Sequence, residues 1–206
     1  MTSLPRSFYR RDSLDLAPLL LNKLLVCGSR VVRIVEVEAY RGETDPASHA
    51  FRGRTARNAT MFGPAGHLYV YFTYGMHWCA NVVCGGEGEA RAVLLRAAAP
   101  VAGLDELREA RFGASLLPRS GRPRRPPSRQ RDRDLCSGPA KLAQALSLTG
   151  EHNGADLVTG DRGVTLESDG VAPPASPLVS PRVGLSAGAE HPWRFFVEGD
   201  SNVSRR

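Results

Sequence analysis

The stretch HLYVYFTYGMHWCANVV, His67 to Val83, holds two apolar runs separated by a Tyr74–Gly75 pair. LYVYF and WCANVV are rich in β-branched and aromatic residues, so both read as strands, with Tyr-Gly as the turn between them. A turn of this kind exposes its tip. An exposed tyrosine taken alone is most simply a surface residue. Here it sits in a strongly basic chain, close in sequence to a pair of glutamates, and that context calls for a partner.

Working outward, VVRIVEVEAY (Val31–Tyr40) alternates β-branched residues with others and predicts a strand. RAVLLRA and the late WRFFVEGD predict two more. DLAPLLLNKLLVCGSR reads as a short helix followed by a strand, with Pro18 in the helix's first turn and Asn22 in the left-handed conformation that ends it. In DPASH, Asp45 is a candidate N-cap with Pro46 at the first helical position. GLDELREARFG predicts a helix ended by Gly113. SGPAKLAQALSLTG predicts another, starting near Ser137 and ending before Gly150. The segment 113–134, rich in Arg, Pro, Ser and Gly, is expected to be a flexible surface loop, either a basic arm against nucleic acid or a solvated linker. PPASPLVSPRVG reads as extended or turn-like.

The chain has 206 residues, enough for one substantial core, and a single domain spanning 1–206 is expected. Its net charge is +6, and the only lysines are Lys23 and Lys141. An anionic partner is implied, nucleic acid before membrane, and arginine grips phosphate bidentately. A GC-rich genome would also raise the arginine content. Cys27, Cys79, Cys84 and Cys136 form no CxxC pair and have no zinc-ligand spacing to histidine, so no metal site is expected. Scattered cysteines, no apolar leader and no membrane-length stretch point to a cytoplasmic protein.

Residues two apart on a strand share a face. Ile34, Glu36, Glu38 and Tyr40 are therefore expected on one side of the strand, with Arg33, Val35, Val37 and Ala39 on the other. Neighbouring glutamates on one face repel unless the face is wet, counter-charged or functional. A solvated face is the simple reading of that pattern. The functional reading makes one glutamate a general base in a cleft.

The segment EVEAYRGETDPASHAFRGRTARNATMFGPAGHLYVYFTYGM strongly resembles the alkyladenine (3-methyladenine) DNA glycosylase family. The shared pieces are E-x-E-A-Y-x-G, D-x-A-S-H, R-N-x-x-M-F, G-x-L-Y-V-Y-x-x-Y-G-M, C-x-N-V, V-L-L-R-A, L-C-S-G-P-x-K-L and R-V-G. Their order and spacing hold from about Leu16 to Val197. The resemblance implies a mixed α/β (α+β) fold with a curved, mostly antiparallel sheet flanked by helices. It also implies an enzyme that flips alkylated or deaminated purines out of double-stranded DNA and hydrolyses the glycosidic bond. By the same resemblance Glu38 activates the attacking water and Arg96 helps hold it. Tyr40, His49 and Tyr71 stack on the extruded base, and Asn81 rejects guanine-type bases. A strand Asn satisfying a buried backbone group is the equal alternative at Asn81.

Tyr74 matches the residue that fills the hole left by the flipped base, with Met76 bracing its neighbours. Arg54, Arg57 and Lys141 are candidate phosphate contacts, although Arg57 could equally tie its loop together. Glu36 is expected to support the framework. The chain has two lysines, and Lys141 at a predicted helix start better suits a backbone phosphate, so water is the expected nucleophile and no lyase step is expected. No metal or organic cofactor is implied, and a monomer acting on damaged DNA is expected. The chain departs from the family at Asn22, usually Gly, in the CGGEGEAR turn and in the Arg/Pro-rich loop. The competing classes are a non-catalytic nucleic-acid-binding module with stacking aromatics and a carbohydrate hydrolase using the glutamate pair. The first would bind equally well without Glu38, and the second would need no wedge.

Overall fold

The computed structural model describes residues 1–116 and 132–204. Among them, ten strands form one sheet: β1 (Thr2–Ser3), β2 (Leu24–Cys27), β3 (Arg30–Arg41), β4 (His67–Thr73), β5 (His77–Cys84), β6 (Arg91–Ala102), β7 (Ala155–Asp156), β8 (Val164–Ser168), β9 (Leu178–Ser180) and β10 (Arg194–Phe196). Every pairing is antiparallel. The order is β1-β8-β2-β3-β6-β5-β4-β7, and β10 bridges β3 and β9. Among the described residues four α-helices accompany the sheet: α1 (Arg6–Tyr9), α2 (Ser13–Leu20), α3 (Leu104–Leu116) and α4 (Pro139–Ala145). The fold is the expected mixed α/β class with a curled antiparallel sheet. No helix among the described residues is long and apolar enough to cross a membrane.

The long strand β3 positions everything that follows. Ile34 pairs with Ala98 and Glu36 with Ala97, so Val35 has no partner on β6. This bulge uses up one residue and reverses the alternation across it. Val32 and Ile34 before it and Val37 and Ala39 after it therefore all enter the main apolar core. Ile34 does not share the face of Glu36, Glu38 and Tyr40, contrary to the plain period-two reading. Both glutamates are fully buried, so that face is not a solvated one.

Several boundaries also differ from expectation. Asp12 accepts from Leu14 N–H at 2.9 Å and starts α2 early, which leaves Pro18 inside the helix rather than in its first turn. The helix ends two residues later, and Asn22 follows at φ 64 as expected. No helix follows Asp45. Its carboxylate accepts from Ala47 N–H and Arg41 N–H, closing a turn, and is then taken by a buried arginine. Gly113 keeps a helical backbone, so α3 runs on to Leu116. The expected 113–134 loop otherwise falls mostly outside the described residues. α4 stops at Ala145, because Ser147 turns left-handed at φ 56 and Leu148 N–H bonds back to Ala143. Gly150 instead opens a 3-10 turn capped by Thr149. β8, which the sequence reading missed, pairs with β2 and β1.

Candidate active site

A cavity of about 330 Å³ opens where β3, β4, β5 and β6 meet the segment around Val183. Glu38, Tyr40, His49, Tyr71, Asn81 and Arg96 line it, and Tyr74 borders it. Glu38 is fully buried and lies among the residues that line the cavity.

Two hydrogen-bond donors and one ion pair hold the Glu38 carboxylate. Oε1 accepts from the Val183 main-chain N–H at 2.7 Å and lies 3.2 Å from Arg96 Nη1, and Oε2 accepts from the Tyr40 hydroxyl at 3.0 Å. A carboxylate oxygen has two lone-pair directions, so Oε2, with the Tyr40 hydroxyl on it, keeps acceptor capacity for a further donor. Burial and the neighbouring Glu38 charge push the Tyr40 phenol well up, which keeps it a donor. Burial opposes the charge on Arg96, but Glu38 and then Glu36 outweigh it and hold the guanidinium above its ordinary range. Two same-face glutamates thus coexist because arginines, not water, surround them.

One wall of the cavity is Tyr40, backed by the fully buried Arg182. The Arg182 guanidinium lies 4.6 Å from the Tyr40 ring centroid and 4.8 Å from that of Trp193. It donates to Asp45 at 2.6 and 2.8 Å and to the Ala39 carbonyl at 3.0 Å. The next residue, Val183, is the one whose N–H reaches Glu38. This single anchored arginine therefore places both an aromatic wall and a carboxylate donor.

A ring cluster also lines the cavity. His49 meets Tyr71 edge-on at 4.4 Å, and Tyr71 stacks on Tyr69 at 5.4 Å. The Tyr69 hydroxyl lies 3.2 Å from His49 Nδ1. Burial, with the Arg57 charge nearby, depresses His49, so its ring is neutral at neutral pH. Burial likewise pushes the Tyr69 phenol up to about 12. Asn58 holds the His49 loop by donating to the His49 and Gly53 carbonyls at 2.8 and 3.0 Å. Asn81 donates to the Tyr69 carbonyl at 3.1 Å across the β4–β5 pair, so the backbone-satisfying reading of Asn81 holds, and it lines the cavity as well.

Tyr74 is 83 % exposed and Met76 68 %. Tyr74 and Gly75 have φ of 51 and 64, and Met76 N–H bonds Thr73 C=O, which makes a tight turn of the type whose twist suits a hairpin. Glycine or asparagine is the low-strain occupant of the first of these positions. A tyrosine held there in the left-handed region is strain at an exposed tip, the kind of strain found at functional positions.

The candidate phosphate contacts are scattered. Arg54 is exposed on the loop after His49. Arg57 donates to the Phe72 carbonyl at 3.0 Å and lies 5.8 Å from the Tyr71 ring, so it ties the loop to β4. Lys141 on α4 reaches Asp134 at 3.4 Å and Ser137 at 3.2 Å. The sequence reading gave no part in the site to Asn58, Arg182, Arg194 or Ser204, and took Asp45 only as a helix N-cap. The need of buried carboxylates for cations was a signal for the arginines, but nothing in the sequence says which arginine serves which acid. The described residues contain no cluster of three or more His, Cys, Asp or Glu side chains able to hold a metal ion.

Residues 7–201 match the family described as Methylpurine-DNA glycosylase (MPG). A protein of Burkholderia lata is 50 % identical over 202 residues, covering 98 % of this chain and 90 % of its own. One from Streptomyces avermitilis is 46 % identical over 209 residues, covering 98 % and 91 %. One from Carboxydothermus hydrogenoformans is 44 % identical over 207 residues, covering 98 % and 99 %. All three carry the provisional name 3-methyladenine DNA glycosylase.

Proposed function

The chain belongs to the methylpurine-DNA glycosylase family, and from that premise we propose that it repairs double-stranded DNA by excising 3-methyladenine and related alkylated or deaminated purines, hypoxanthine and ethenoadenine among them. The observation that carries this reading is the buried Glu38 carboxylate among the residues lining a cavity bordered by the exposed Tyr74 ring. A base inside a duplex cannot enter such a cavity, so its nucleotide must be extruded. Tyr74 fills the vacated stack, and Met76 supports the adjacent bases. Tyr40 on one side and His49 with Tyr71 on the other sandwich the base, whose π-face every purine offers. Asn81 limits what fits beside Tyr69. Arg54, Arg57 and Lys141 take backbone phosphates, Arg57 while still tying its loop.

Water is the nucleophile. Its oxygen bonds to the sugar C1′, its proton passes to the free side of Glu38 Oε2, and the glycosidic bonding pair leaves with the purine. Carboxylate charge also stabilises the oxocarbenium character that develops on the sugar. Among the described residues no amine lines the cavity: Lys23 lies against the Val171 carbonyl and Lys141 against Asp134. An attacking amine is needed for strand cleavage through a Schiff base, so the enzyme is monofunctional. No second copy of the chain is needed to complete the site, and the protein works as a monomer where the DNA is, in the bacterial-type cytoplasm.

The test is a duplex carrying a single 3-methyladenine, hypoxanthine or ethenoadenine. The expected product is free base with an abasic site that breaks only after alkali. Release of none of these bases would refute the reading, and strand breaks before alkali would refute the water nucleophile. Tyr74→Ala is expected to weaken lesion-specific binding by about 1–3 kcal/mol, the worth of one stacked ring. Its salt-sensitive binding to undamaged duplex should stay near wild type. Ethenoadenine fluorescence on mixing reads the extrusion directly, and an unchanged signal in Tyr74→Ala would remove the wedge.

A further inference from the structure

Among the described residues, two carboxylates and two guanidiniums form a buried group beside β3. Arg96 is shared, with Nε 2.9 Å from Glu36 Oε1 and Nη1 3.2 Å from Glu38 Oε1. Arg194 serves Glu36, with Nε 2.6 Å from the same Oε1. Its position follows from the pairing of β10 with β3, and it is fixed by Ser180 Oγ at 3.0 Å and by the Phe196 ring at 4.6 Å. Ser204 completes the inner acid, its N–H donating at 2.6 Å to Oε2 and its hydroxyl at 2.8 Å to Oε1. The formal charges cancel, and burial makes any imbalance costly. Other groups facing Glu38 from the described elements do not alter the count. Burial pushes up the Tyr40 and Tyr71 phenols and the Cys79 thiol, which stay neutral, and Asp45 matches Arg182.

From this arrangement we infer that Arg194 is a positioning residue for the excision reaction: by satisfying Glu36 it leaves the Arg96 charge for Glu38. The inference rests on the excision reading. Glu36 would otherwise compete with Glu38 for the one guanidinium between them. Arg194 therefore acts at a distance, through Glu36 and Arg96, on the carboxylate that meets the water.

A charge cycle at Glu36 and Arg194 tests this, read as single-turnover base release against pH on a hypoxanthine duplex, with urea unfolding in parallel. Arg194→Gln leaves two carboxylates to one guanidinium, so a proton becomes the missing positive charge. Release is then expected to fall off on the acid side at a pH about one unit higher than in wild type. Glu36→Gln changes the charge the other way, and its fall-off should move to lower pH. The double variant restores the balance, and its fall-off should return toward the wild-type position. Arg194→Lys, which keeps the charge, should stay near that position too. A residue serving packing alone would lower the amplitude without moving the fall-off.

An unmoved fall-off in Arg194→Gln, with wild type still releasing base, would overturn this inference alone, as would a double variant displaced further than either single one. A wild type that releases no purine would overturn the excision reading and this inference with it. Should Arg194→Gln not fold, Glu36→Gln decides by itself, because an acid fall-off that stays put or moves upward would overturn the inference.

Discussion

Glu38→Gln is expected to lower base release by about 10²–10⁴-fold, the usual worth of a positioned general base, while binding of the lesion duplex changes only a few-fold. The isostere fits the site. Its amide oxygen can take the Val183 N–H and the Arg96 guanidinium, which now sit on Oε1, and its NH₂ can donate to the Tyr40 oxygen, which now faces Oε2. Arg96 keeps its bond to Glu36, so no cation is left unpaired in the interior. The loss should therefore fall on kcat, measured under single turnover, with the affinity from a binding titration nearly intact. Release at the wild-type rate would remove Glu38 from the chemistry. Parallel loss of binding and of folding would make it a framework residue instead. A plain nucleic-acid-binding module would bind equally with either side chain and would release base with neither, so the same pair of measurements separates that class.

Asp45→Asn is expected to destabilise the protein by about 3–5 kcal/mol, the typical effect of breaking a buried ion pair from one side. Both partners are fully buried, and Asp45 accepts from Arg182 through both oxygens and from two backbone N–H groups. An amide offers one oxygen for these donors and sets an NH₂ against the guanidinium. Urea unfolding measures the loss directly, and a change under 1 kcal/mol would mean the pair is replaceable. The pH dependence has a definite sign. Burial alone would raise the Asp45 carboxyl, but the hydrogen bonds and charge of Arg182 outweigh it and hold it below its ordinary 3.8. A depressed folded value means that the unfolded chain binds the proton first as pH falls. The contribution of the pair is therefore complete above about 3.8 and is lost as pH drops through the lower folded value. Asp45→Asn should show a shallower stability loss over that acid window than wild type. Since Arg182 also backs Tyr40 and precedes Val183, excision should weaken along with stability.

The hairpin, the long glutamate strand and the helices α2, α3 and α4 were legible because each shows its own periodicity or turn residues over several positions, whereas α1 was not read and the helix expected after Asp45 is a turn. Tyr74 at a tip is readable from Tyr-Gly between two strand-like runs, and Asn22 from the need of a helix end for a left-handed residue. The bulge at Val35 was not legible. Nothing local distinguishes Val35 from Val37; the slip appears only when β6 is laid alongside and Ala97 and Ala98 face Glu36 and Ile34. Helix ends were misplaced for a similar reason. Pro18 and Gly150 each carry a strong local preference, and a cap elsewhere overrode it, while α3 simply continues through Gly113.

By itself the sequence determined the kinds of chemistry present: an acid pair on a strand, ring-bearing residues at set intervals, a phenol on a turn and an excess of guanidinium. These are properties of side chains and of short-range backbone preference, which the chain carries wherever it folds. Only the tertiary structure decided which cation meets which acid. Arg96, Arg182 and Arg194 are chemically identical in the sequence, and they differ because β6, the Val183 segment and β10 bring them to Glu38 with Glu36, to Asp45, and to Glu36. Contacts across as many as 158 positions set those pairings. They depend on sheet register and burial, which no local window of residues encodes.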